Sequence, residues 1–429
     1  MKKCFRIFSK VIVSLLIVFA FLEIGLRIFP SLIPIEFLIK FQEELRAEIA
    51  KRRHLPTRDD IVLLDRDDGG PPHRLRVYKP FTKFTYAFKD AGIAKTVVMD
   101  RTGFCNPPQH DYDIPTIDII ALGDSFTWCT SVNPEDTWTS KISSLTGRSI
   151  YNLGSPRLGV YEYLQILKRF GIQKSPRVVI MNIYGGNDLR DAVFYQSYRQ
   201  ATKDNGDVRL TSTPCATLSH YPCMISSLLK EGTMARYSYA FNLALAAGRR
   251  SFVYKRLKPN FRYRLVFPGN VIRFNIDNTD GSEIIQAKRL RAQETDLEIF
   301  TEALKTFVDL SRQNTFVPVV TYTPSAHTVY GANVVFEDAA LSDLMPWFSR
   351  TQRSFFKAKG DELGYMFIDL TSSLQAAALS KGAQDLLYYP SNLHLTRRGH
   401  KVIAERISGA LQGRTMTSHE TLRPDGAGD

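Results

Sequence analysis

The sequence predicts an α/β fold, a parallel sheet wound in both directions with helices on its two faces. Three observations carry this. Apolar runs of strand length recur at 117–122, 148–153, 177–184, 317–322 and 365–369. Segments of helical length separate them, near 135–146, 161–170, 286–313 and 341–363. Polar turns rich in Gly, Ser and Asn follow several strand ends, where open α/β sheets build their sites.

Taken in chain order, residues 1–10 form a basic tail carrying Lys2, Lys3, Arg6 and Lys10. Residues 11–30 are mainly apolar and predict a membrane anchor. The uninterrupted core, Val11 to Leu22, is twelve residues long, short of the roughly twenty needed for a full span. Glu23 and Arg27 lie one helical turn apart and suit an ion pair at the far interface. The basic flank favours a cytoplasmic N-terminus with the main domain exported, periplasmic or extracellular. The rival is a cleaved signal peptide. No small-x-small cleavage site follows Leu22, which favours the anchor.

Residues 31–110 read as a juxtamembrane amphipathic helix (35–53) and a β-rich preamble with alternating stretches such as 83–88. Residues 111–412 are the main domain. An insertion at about 192–285 breaks the strand–helix alternation, with a helix expected around 226–249. It is a candidate lid or substrate wall. Residues 413–429 are polar and predict a disordered tail. A chain of 429 residues holds one large domain and an appendage.

The formal charge is +13, from 56 Lys and Arg against 43 Asp and Glu. The basic residues are spread along the chain rather than clustered, so with export inferred no nucleic-acid partner is expected. An anionic membrane or glycan surface fits this balance, as does a solvated basic exterior. No CxxC, HExxH, Walker or dinucleotide glycine motif occurs, and no metal or cofactor is expected.

The chemistry-bearing residues come in four blocks. Gly123-Asp124-Ser125-Phe126-Thr127 closes the run 117–122. Tyr151-Asn152-Leu153-Gly154-Ser155-Pro156-Arg157-Leu158-Gly159 follows the run at 148. Gly185-Gly186-Asn187-Asp188 follows 177–184. Asn392-Leu393-His394 stands before Gly399-His400 and is expected to open a helix. This series resembles the SGNH, or GDSL-type, hydrolases over roughly residues 95–412. The resemblance implies a three-layer α/β/α flavodoxin-like domain acting on ester bonds.

It further implies that Ser125 is the nucleophile and His394 the base. The oxyanion donors would be the Ser125 backbone N–H, a second-block N–H and the Asn187 side chain. By spacing from Asn152 the second-block position is Arg157, where a positive φ would be strained; its neighbours Gly154 and Gly159 are the alternatives. The family places an Asp two or three residues before its His. Here those positions hold Asn392 and Ser391, and Asn392 can orient an imidazole without neutralising it. An acid from elsewhere, Asp385 or Asp188, is the alternative. His327 reads as a loop histidine or a pocket wall, and His400 as structural.

Four cysteines lie beyond the apolar run. Cys215 and Cys223 flank a short polar loop and pair naturally, leaving Cys105 with Cys129. Relatives carry other residues at both of the latter points, which supports a bridge; free buried thiols are the alternative. Three functional readings follow. The first is a membrane-anchored serine esterase acting on an acyl ester or an acylated cell-envelope glycan. The second is a glycan O-acetyltransferase using the same acyl-serine. The third is a non-catalytic glycan-binding or assembly protein on the same scaffold.

Overall fold

The computed structural model describes residues 2–38, 41–55, 57, 60–86, 95–203, 236–252, 261–275 and 281–415. Twelve strands occur among them. They are β1 Ile61–Leu63, β2 Arg76–Tyr78, β3 Lys83–Tyr86, β4 Lys95–Val98, β5 Ile119–Leu122, β6 Ile150–Asn152, β7 Val178–Tyr184, β8 Tyr263–Phe267, β9 Asn270–Phe274, β10 Val317–Thr323, β11 Val334–Phe336 and β12 Met366–Asp369. The chain divides into two compact units, one of residues 61–82, 86–208 and 259–429, the other of 1–60, 83–85 and 209–258.

The larger unit is built on a five-stranded sheet in the order β12-β10-β7-β5-β6, parallel throughout. Numbered within the sheet this is 2-1-3-4-5 read from the β6 edge, the flavodoxin-like order, with its switch point between β5 and β7. Every residue of β5 and β7 is buried, as a strand covered on both faces requires. Side-chain alternation splits the core in two. Ile120, Leu122, Val179, Met181 and Ile183 face one layer; Ile119, Ala121, Val178 and Ile180 face the other.

The helices come close to their expected places. Trp138–Thr146 is capped by the Thr137 hydroxyl and stopped at Gly147, φ 69°. Leu341–Leu363 stops at Gly364, φ 92°. Both glycines supply the left-handed conformation that ends a helix. The long helix expected over 286–313 is instead two, Gly281–Arg291 and Thr301–Asn314. Gln293 turns to φ 59° and Glu294 N–H donates back to Arg289 O at 2.9 Å. No Gly or Pro marks that break.

The insertion supplies a hairpin that the alternation did not predict. β8 and β9 pair antiparallel around Pro268-Gly269, and β11 completes a small three-stranded sheet. Part of the preamble belongs to the same body as the main domain. Asn106 pairs by its carboxamide with both backbone groups of Asn152, at 2.9 and 3.0 Å. The Arg66 side chain, 4% exposed, bonds Glu162 at 3.0 Å.

Among the described residues the smaller unit is mostly helical. Lys2–Ile28 is one helix, of which Phe8–Ile28 is long and apolar enough to cross a membrane. Its last turns pack with Ile33, Leu38, Phe41, Leu45, Ile49, Tyr239, Ala240 and Ala246. Arg27 Nε bonds Glu23 Oε1 at 2.7 Å, as the spacing predicts. Glu23 also accepts from Tyr239 N–H, Ala240 N–H and the Ser238 hydroxyl, at 3.1, 2.8 and 2.8 Å. It therefore caps the start of the helix Tyr239–Phe252. The expected helix over 35–53 is broken into Ile35–Leu38 and Glu43–Arg52. Cys215, Cys223 and residues 416–429 lie outside the described residues; of the tail expected from 413, residues 413–415 instead end the helix Arg397–Thr415.

Candidate active site

Ser125 stands on the turn leaving β5, beside the sheet's switch point. The turn is tight: a Cβ on Gly123 would run into the Thr127 side chain, so only glycine fits. Asp124, fully buried, holds the turn by accepting from Phe126 N–H at 2.8 Å. His394 Nε2 lies 2.9 Å from Ser125 Oγ, within reach for proton transfer. The chain thus brings together two groups 269 residues apart.

His394 sits in the loop before the helix Arg397–Thr415 rather than inside it. The loop is pinned by Leu393 N–H to Tyr389 O and Tyr389 N–H to His394 O, both 2.9 Å, and Leu393 adopts φ 62°. Phe126 stacks on the imidazole at 4.9 Å between ring centroids, and Tyr184 backs Phe126 at 3.6 Å. Burial holds the His394 imidazolium down to about 4, only partly offset by the hydrogen bond with Asn392. The ring is a neutral base at pH 7.

The far side of the ring corrects the expected triad. Asn392 Oδ1 accepts from His394's own backbone N–H at 3.0 Å, and its Nδ2 donates to Ser131 Oγ at 2.9 Å. The Asn392 side chain does not touch the imidazole; only its backbone acts on the ring. His394 Nδ1 is buried with no partner among the described residues. Neither alternative acid reaches it. Asp188 accepts from Tyr184 N–H and the Tyr163 hydroxyl, while Asp385 pairs with Arg398.

Second-block donors can be sorted by what their N–H groups already do. Gly154 donates to Asn152 Oδ1, Ser155 to Gly123 O and Leu158 to Ser155 O. Gly159 donates to Glu162 Oε2 at 3.1 Å, which removes it as an oxyanion donor. Pro156 has no N–H. That leaves Arg157, at φ 67°, whose N–H is unengaged among the described residues, like that of Ser125. The strained conformation anticipated for Arg157 is present. Its carbonyl is held by Arg74 Nη2 at 2.8 Å, and the same guanidinium bonds Asp191 at 3.1 Å. Arg74 thus ties the second block to the third.

Asn187 leaves β7 at the same edge. Its amide donates to Asp191 Oδ2 at 3.0 Å and is a partner of Asp124. Three buried carboxylates therefore crowd this corner. Burial, reinforced by Asp191, pushes Asp124 up to about 6. Burial, with Asp124 and Asp191 nearby, holds Asp188 well above the usual carboxylate range. Asp191, one helical turn past Asn187, was legible only as an i, i+4 neighbour.

Cys105 and Cys129 form a disulfide, Cα to Cα 6.1 Å, just after the nucleophile turn. His400 is buried and accepts from Trp138 N–H at 3.1 Å, a structural part as expected. His327 lies in the helix Ala326–Tyr330 rather than in a loop, buried against Glu283 at 3.1 Å.

No family model matches the chain, and no curated protein matches it. Similar solved structures include a G-D-S-L family protein described as lipolytic from Desulfitobacterium hafniense DCB-2. It is 13% identical, with 68% of this chain and 99% of that one covered and a TM-score of 0.34. An α/β hydrolase from the metagenome of Lake Arreo, Spain, is 10% identical over 70% and 97%, with a TM-score of 0.34. An acetylxylan esterase from Geobacillus stearothermophilus, as a catalytic mutant, is 12% identical over 68% and 94%, with a TM-score of 0.33. Likenesses this remote carry no function across.

Proposed function

We propose that the chain is a membrane-anchored serine ester hydrolase of the SGNH type, working through a Ser125–His394 dyad. The 2.9 Å contact between Ser125 Oγ and His394 Nε2 carries this reading. His394 takes the hydroxyl proton as Oγ bonds the acyl carbon. The backbone N–H groups of Ser125 and Arg157 receive the oxyanion. Asn187 is the third donor, and turning its amide from Asp124 towards the oxyanion is the one rearrangement required. The carbon–oxygen bond to the leaving alcohol then breaks and the alcohol takes the proton from His394. Water, activated by His394 in turn, releases the acid and restores Ser125.

The acyl group in this reading comes from a small ester or an acylated cell-envelope glycan. The anchor reading is supported by Glu23, Leu26 and Arg27, which are built into the helical unit with residues 238–246; a removed leader would leave that helix uncapped. Turnover of aryl acetates, followed by product analysis with a polysaccharide acceptor, tests the function. Free acetate lost on Ser125→Ala supports it, acetyl transfer to sugar points to the transferase, and unchanged turnover in Ser125→Ala refutes it.

A further inference from the structure

A base with no acid behind it needs another means of holding its ring. On the Ser125 side His394 meets the hydroxyl, and on one face it meets Phe126. No side chain among the described residues pairs with its Nδ1, and the polar group that favours the protonated ring is the Asn392 backbone. Orientation must then come from the loop 389–395, and two bonds from that loop converge on a single residue. Asn392 Nδ2 donates to Ser131 Oγ at 2.9 Å, and the Tyr389 hydroxyl donates to Ser131 O at 3.3 Å. Asn392 Oδ1 passes the first of these on to His394 N–H.

Ser131 is itself held firmly. It is buried and lies two residues past Cys129, which is bonded to Cys105. It adopts φ 66°, a conformation that disfavours any residue but glycine, yet it is serine. The hydroxyl is the reason on view for accepting that cost.

We infer that Ser131 is a positioning residue for His394, fixing the base through Asn392 from a loop braced by the Cys105–Cys129 disulfide. It takes over the orienting half of a triad acid's work and none of its charge. The inference rests on the dyad reading above.

Ser131→Gly tests it, because glycine suits the backbone there and removes only the hydroxyl. The melting temperature should hold or rise. Turnover should fall about 10- to 100-fold through misplacement of the base, with KM unchanged. The acid limb of the pH profile should move up from about 4 as water reaches the ring. Asn392→Ala should do the same, and the double variant should be no worse than either alone, since both cut one linkage. Full turnover in Ser131→Gly, or effects of the two changes that multiply, would overturn the inference. Equal activity in Ser125→Ala would overturn the dyad reading and this inference with it, whereas loss of activity in Ser125→Ala with full turnover in Ser131→Gly would overturn this inference alone.

Discussion

At the scale of single residues the proposed reaction runs on an uncharged base. A histidine whose imidazolium is held down to about 4 is already neutral well below the usual value near 6.5. The proton-accepting form is therefore present across the neutral range and lost only as pH falls through about 4. The rate constant kcat/KM should stay flat from pH 8 to about 5 and fall below that, and a limb near 6.5 would show that the ring is not desolvated. Asn392→Asp makes a second prediction. The Asn392 oxygen faces a backbone N–H and not the imidazole, so a carboxylate there gains no contact with Nδ1. Neutral-pH turnover should not rise; a tenfold gain would show that the new acid reaches the ring.

At the scale of elements, the three motif-bearing turns at β5, β6 and β7 were legible because each closes a buried run with Gly, Ser or Asn. The order of the blocks followed from the chain alone. What was not legible is how each side chain is spent. Asn392 and His394 are two residues apart in sequence, and nothing in that spacing tells that the amide turns to the backbone and to Ser131. Gly159 looked available until Glu162 claimed its N–H. Ser131 and Asp191 carry no motif, and only packing brings them to the site. The hairpin β8–β9 did have a signal, Pro268-Gly269 between two apolar stretches. The disulfide closes a loop of 24 residues beside the nucleophile. Cys105→Ala with Cys129→Ala should cost about 2–4 kcal/mol, read as a lower midpoint in denaturant, and an unchanged midpoint would remove the brace.

For the whole molecule, the proposed reading divides the work between the two compact units, chemistry in one and placement in the other. The larger carries every residue of the proposed reaction. In the smaller, the apolar helix Lys2–Ile28 carries in its last turns a carboxylate, Glu23, that caps the helix Tyr239–Phe252. In the proposed reading the chain keeps its N-terminal helix. Full-length protein should stay in carbonate-washed membranes, and recovery of a shortened soluble chain would mean a cleaved leader.

The central claim is that Ser125 is a nucleophile activated by His394 with no acid behind it. Labelling of the purified protein with a serine-directed fluorophosphonate, followed by peptide mapping, tests it most directly. The account predicts one adduct on Ser125, absent in Ser125→Ala and formed far more slowly in His394→Ala, with both variants folded. An unlabelled native protein, or an adduct that survives Ser125→Ala, would contradict it.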